Sequence, residues 1–151
     1  MRRLAILAAL LLTANISLAQ DAEELRALLD QYLTLFSNEQ SRVIAEEIMA
    51  TPAIFWDRAL LTHADTEMLF DELFADIKGR GWTRSVSLSV DVCELGHGLA
   101  LMTLNYSALR EDGEAIPPRV RGAFFLLRKL EAEWRIVAIY GRDPEVTVSC
   151  R

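Results

Sequence analysis

Between Val86 and Val92 apolar and polar residues take turns: Val86, Leu88, Val90 and Val92 are separated by Ser87, Ser89 and Asp91. A period of two predicts a strand with one face on a core. The turn Gly96-His97-Gly98 leads into a second such run. Setting Leu95 opposite Leu99 brings Val92 to Met102, Val90 to Leu104 and Leu88 to Tyr106, all on one apolar face. Asp91, Ser89 and Ser87 then meet Thr103, Asn105 and Ser107 on the other. A slip of one residue would mix the two sets, so this register is favoured. The same parity adds Val120, Gly122, Phe124 and Leu126, then Trp134, Ile136, Ala138 and Tyr140, to the inner face. It leaves Ala123, Phe125, Leu127, Val137 and Ile139 outside, an unusually apolar set to meet water.

Upstream the spacing is helical. Asp21 and Glu24 fit an N-terminal capping box. Leu25, Leu28, Leu29, Tyr32, Leu33 and Phe36 follow on one stripe. Glu39 to Met49 is a shorter second helix with Val43, Ile44 and Ile48 on one side, stopped at Thr51-Pro52. Ile54-Phe55-Trp56 is a short strand, with Leu60-Leu61 as its hairpin partner. Asp65 or Thr66 caps a third helix, whose stripe is Leu69, Phe70, Leu73, Phe74 and Ile77. Gly79 and Gly81 end it. Helices first and a meander last predict an α+β domain, with one curved sheet wrapped against helices and a cavity between the layers.

Residues 1–19 read as a removable leader. Arg2 and Arg3 precede the apolar run Leu4 to Leu12, and Ser17-Leu18-Ala19 offers small residues before a cut after Ala19. The run is too short for a membrane anchor. A secreted or periplasmic location is the expectation, with one domain over residues 20–144 and a tail over 145–151. Loss of Arg2 and Arg3 takes the basic residues from 16 to 14 against 22 acidic ones, and the net charge from −6 to −8. Such a domain repels phosphate backbones and anionic lipid heads, so neither nucleic acid nor a membrane surface is an expected partner. In an oxidising compartment Cys93 and Cys150 are candidates for one disulfide, the alternative being a buried Cys93 and a loose Cys150. Two distant histidines without ligand spacing argue against a metal site, and no cofactor is implied.

The segments Leu95-Gly-His-Gly-Leu-Ala-Leu, Arg110-Glu-Asp-Gly-Glu, Gly122-Ala-Phe-Phe-Leu-Leu-Arg-Lys and Trp134-Arg-Ile-Val-Ala, set behind three helices, resemble the nuclear transport factor 2-like superfamily. The likeness is strongest to its small SnoaL-like and DUF4440-like bacterial proteins, and runs from Asp21 to Pro144. It implies a cone-shaped, cystatin-like fold: three N-terminal helices packed on a curved, mostly antiparallel sheet. It does not select a function, because the superfamily holds isomerases, dehydratases, cyclases and hydrolases as well as binding and assembly domains. No residue matches a catalytic motif of a named member.

Tyr32, Trp56, Tyr106, Phe124 and Tyr140 are the expected pocket, since aromatic residues with polar tips suit a small apolar or aromatic ligand. Asp57, just after the strand Phe55-Trp56, is a candidate general base, and His63 a candidate proton shuttle. The plainer readings are a turn aspartate and a helix-entry histidine. Arg119 and Arg121 after Pro117-Pro118 offer anion donors, but the register turns both outward. Phe125, Leu127, Val137 and Ile139 make the expected homodimer surface. The first expectation is an exported small-molecule-binding domain, non-catalytic or weakly catalytic. The alternatives are a lyase- or isomerase-type enzyme using Asp57 and His63 on an apolar substrate, and a dimeric assembly module.

Overall fold

A computed structural model of the chain describes residues 21–146 and 148. The leader and Cys150 lie outside the described residues. Helix α1 covers 21–37. Helix α2, Ser41–Val43, runs on as a π-helical turn, Ile44–Ile48. The hairpin β1 (Met49–Phe55) and β2 (Arg58–Leu60) follows, then helix α3 (His63–Gly79). Four long strands close the domain: β3 (Arg84–Gly96), β4 (Leu99–Leu109), β5 (Arg121–Leu130) and β6 (Glu133–Arg142). They form one sheet in the order β2-β1-β6-β5-β4-β3, antiparallel except where β1 meets β6. The expected α+β architecture is present, with helices packed on a curved, mostly antiparallel open sheet.

The helix boundaries differ from the sequence expectations for local reasons. α3 begins two residues earlier than Asp65, because Thr62 caps it. The Thr62 hydroxyl accepts from the Asp65 backbone N–H, and the Asp65 carboxylate accepts from the Thr62 backbone N–H in return. Hydrogen bonding to the carboxyl from the Thr62 side chain first, then from the Thr62 and Leu61 backbone N–H groups, holds Asp65 below its usual range. Asp21 and Glu24 do not act as a helix-entry box. Asp21 is already helical, and both carboxylates reach Lys129 Nζ at 2.7 and 3.1 Å. Lys129 also lies 5.5 Å from the Trp134 ring centroid, so this cluster ties α1 to the far end of β5 and β6.

The core lies between α1, α3 and the concave face of the sheet. Leu25, Leu29, Phe70, Phe125, Leu127 and Ile136 are among its fully buried side chains. The register of β3 with β4 matches the expectation at Val90↔Leu104, Val92↔Met102, Asp91↔Thr103 and Ser89↔Asn105. It departs below Ser89, where a bulge at Leu88 leaves that residue 54% exposed and turns Val86 to Ser107. The larger correction is on β5. Leu104 pairs with Ala123 and Met102 with Phe125, so Ala123, Phe125 and Leu127 face the helices. Phe124 turns away and stacks on Tyr140 across the strand pair, with centroids 5.0 Å apart and planes at 25°. A second bulge opposite Leu126/Leu127 keeps both Ile136 and Ile139 inside, which puts Tyr140 on the outer face. Phe125, Leu127 and Ile139 are therefore core residues, 1%, 0% and 4% exposed, and not an outward dimer surface. Val137, the fourth of that set, sits half-buried at the bulge.

Candidate functional site

The layers do not close completely. They enclose a cavity of about 530 Å³ that opens beside the exposed β1–β2 turn at Trp56 and Asp57. α1 contributes Tyr32, Leu33 and Phe36 from its apolar stripe. α3 contributes Leu69, Leu73 and Ile77 from its own stripe. The floor is the concave sheet at Leu104, Ala123 and Phe125, where the small side chains of Ala108 and Ala123 leave room. Trp82 closes one wall. Its indole Nε1 donates to Ser85 Oγ at 3.1 Å, and its ring meets Phe36 edge-on at 5.6 Å.

Polar groups are few, and most sit at the rim. Arg58 pairs with Glu72 at 2.9 Å and Arg80 with Asp76 at 2.6 Å. These pairs are exposed, and such pairs stabilise little. Asp57 lies in the exposed turn between β1 and β2, and it does line the mouth. Trp56 is also at the mouth, 59% exposed, with its ring over Gly141.

Two hydroxyls are inside. Tyr32 is 6% exposed and Tyr106 half-buried; both line the cavity, and neither hydroxyl has a hydrogen-bond partner among the described residues. Burial pushes the ionisation of each above the ordinary phenol range, and for Tyr32 the neighbouring Tyr106 adds to the shift. Arg121 counters part of the burial effect on Tyr106, since a cation favours phenolate. Both hydroxyls thus stay protonated at neutral pH and offer O–H donors to whatever fills the cavity. A phenol that ionises later in the folded state leaves stability intact below its unfolded value, about 10, and removes it as the pH rises further. Urea midpoints should therefore fall from about pH 9 to about pH 11, and Tyr32→Phe should flatten that fall. Equal slopes for the two proteins would refute the assignment.

Of the expected site residues, the structure brings Tyr32, Trp56, Tyr106 and Asp57 to one cavity. Phe124 and Tyr140 are not in it, because the parity of β5 and the bulge in β6 turn them to the opposite face. His63 is not in it either. As the first residue of α3 it points to the Ala45 carbonyl, 2.6 Å from Nδ1, so it does not form an acid–base pair with Asp57. Arg121 had been turned outward by the sequence register. It pairs with Tyr106 across β4 and β5, and it lines the cavity. The alternation of Arg121, Ala123, Phe125, Leu127 and Lys129 is the signal that could have placed it: the two cations bracket a single inward row. Cys93 is buried on β3, and its expected partner Cys150 lies outside the described residues. Among the described residues no cluster of His, Cys, Asp and Glu could hold a metal ion, and no helix is long and apolar enough to cross a membrane.

Residues 22–144 match the model of a family described as NTF2-like protein (DUF6841). The chain belongs to that family. Solved structures agree on the fold. An NTF2-like protein with a cystatin-like fold from Novosphingobium aromaticivorans superposes with a TM-score of 0.71 at 18% identity, over 90% of each chain. Aln2 from a Streptomyces species gives 0.66 at 12% identity, over 82% of this chain and 90% of that one. A candidate aromatic ring hydroxylase, also from Novosphingobium aromaticivorans, gives 0.64 at 16% identity, over 85% and 92%. No curated protein matches the chain. At these identities the likeness is one of fold. The NTF2-like family is where the sequence resemblance pointed.

Proposed function

We propose that this NTF2-like domain is an exported small-molecule-binding protein, non-catalytic or weakly catalytic, whose cavity takes an apolar or aromatic ligand. The observation that carries the reading is the cavity itself: about 530 Å³, walled by aromatic and aliphatic side chains, with two protonated tyrosine hydroxyls that no described residue satisfies. Ligand sites are concave, mostly apolar and supplied with a few placed polar groups, which is this arrangement. An unpaired hydroxyl away from bulk water costs about 1–3 kcal/mol, so these two gain from a guest with acceptor atoms. A solved neighbour of the same fold is a candidate aromatic ring hydroxylase, which supports an aromatic guest. The enzyme alternative needed Asp57 and His63 side by side, and His63 faces the Ala45 carbonyl instead. The leader motif at Ser17-Leu18-Ala19 supports export.

Native mass spectrometry of the protein recovered from the periplasm of an expressing cell tests both halves. The expected species starts at Gln20 and carries a small organic molecule that dissociates on activation. A chain that retains Met1 refutes export. A ligand-free chain that also fails to take up the neutral dye N-phenyl-1-naphthylamine refutes binding.

A further inference from the structure

An acidic protein has placed one arginine on the wall of an apolar cavity with no carboxylate bound to it among the described residues. Arg121 makes no ion pair among the described residues, while the other two arginines that line the cavity, Arg58 and Arg80, are each bound to an acid at the rim. Its guanidinium is fixed, not free to swing to solvent. Nη1 donates to the Ile116 carbonyl and Nη2 to the Pro117 carbonyl, each at 2.9 Å. Two of its five N–H groups are used, and three remain. Tyr106 stands opposite Arg121 in the β4–β5 register and brings its unpartnered hydroxyl to the same wall. Of the carboxylates that line the cavity, Asp76 is held by Arg80, and Asp57 lies in an exposed turn. A half-buried cation beside apolar surface is stabilised most by a counter-charge, and a fixed planar guanidinium is suited to carboxylate.

We propose that the ligand is an aromatic or alicyclic carboxylate, with its carboxylate oxygens on Arg121 and the Tyr106 hydroxyl and its ring against Phe36, Leu73 and Trp82. This rests on the binding reading above and narrows it. The apolar body accounts for the aromatic wall, and the single anionic group accounts for the cavity-lining cation that makes no ion pair among the described residues. A neutral ligand of the same shape would leave that cation with its two carbonyl contacts alone.

The test is competition on the purified protein. N-phenyl-1-naphthylamine reports cavity occupancy, and 2-naphthoate and 2-naphthamide displace it. Wild type should be displaced by 2-naphthoate at a concentration about tenfold or more below that of 2-naphthamide, the scale of a hydrogen bond to a charged group. Arg121→Gln and Tyr106→Phe should each shrink that ratio toward one, measured against each variant's own affinity for the dye. Tyr106→Phe keeps the ring and every backbone contact, so it decides the matter if Arg121→Gln fails to fold. Leu73→Trp, which fills part of the cavity, should abolish dye uptake. If wild type takes up no dye, or Leu73→Trp binds it unchanged, the cavity is not the binding site and both readings fall. If the dye binds in the cavity but the two competitors are equal, or the ratio survives Tyr106→Phe and Arg121→Gln, binding stands and the carboxylate assignment is overturned.

Discussion

Phe125→Ala should lower folding stability by about 3–5 kcal/mol, the usual range for removing a buried phenylalanine. Its neighbour should be far less sensitive, with Phe124→Ala costing roughly 1–2 kcal/mol. The two residues are adjacent and chemically identical, and they differ only in the face they present. Phe125 is 1% exposed, meets the Tyr32 ring edge-on at 5.6 Å, and pairs with Met102 on one side and Ile139 on the other. Its removal takes away both transfer energy and the contact between sheet and α1. Phe124 has the Tyr140 ring as its stacked partner on the opposite face and stays half-buried. Urea melts of the two variants would report the face of β5 directly. A larger loss from Phe124→Ala would mean that the strand is turned the other way.

That pair also marks where the sequence stops being informative. A period of two fixes a face only where apolar and polar residues contrast. Val90 and Val92 stand between Ser89, Asp91 and Cys93, and their partners Leu104 and Met102 were legible for that reason. On β5 the run Ala123-Phe-Phe-Leu-Leu is apolar at both parities, so the face is decided by tertiary packing and the pattern is silent. The bulges at Leu88 and opposite Leu126/Leu127 add a second loss, because each reverses the parity of everything beyond it without a glycine or proline to announce it. The errors at the site follow from this. Phe124 was assigned to the cavity and Arg121 to solvent by the misplaced parity of β5, and Tyr140 to the cavity by the unseen bulge in β6. Tyr32, on the stripe of α1, and Trp56 and Asp57, at a hairpin turn, were placed by local signals that no register shift can disturb. His63 failed for another reason: the helix is capped by Thr62 rather than by Asp65 or Thr66, which makes His63 a first-turn residue with a backbone carbonyl in reach.

Gly122→Ala should destabilise the domain by about 1–3 kcal/mol, the range for overpacking a closed site. The opposite sign would be the ordinary expectation, since replacing glycine in an extended strand removes freedom from the unfolded chain and stabilises by about 0.4–1 kcal/mol. Local space decides against it. A Cβ at this position would lie 2.7 Å from both Cγ and the carbonyl oxygen of Arg142, and 3.1 Å from the Pro144 nitrogen. Two of those three atoms are backbone, so a rotamer change cannot clear them. Arg142 cannot retreat easily either. It is the register partner of Gly122, and its guanidinium donates to Asn105 Oδ1 and to the Asp143 carbonyl. The strand pair would have to open at the end of β5 where Arg121 begins the ladder. Gly122→Ala should therefore weaken carboxylate preference as well as stability, whereas Phe124→Ala, on the outer face, should leave that preference intact. Urea melts and the naphthoate competition on these two variants check both effects, and a Gly122→Ala protein more stable than wild type would show that the tail of β6 yields where the geometry says it is held.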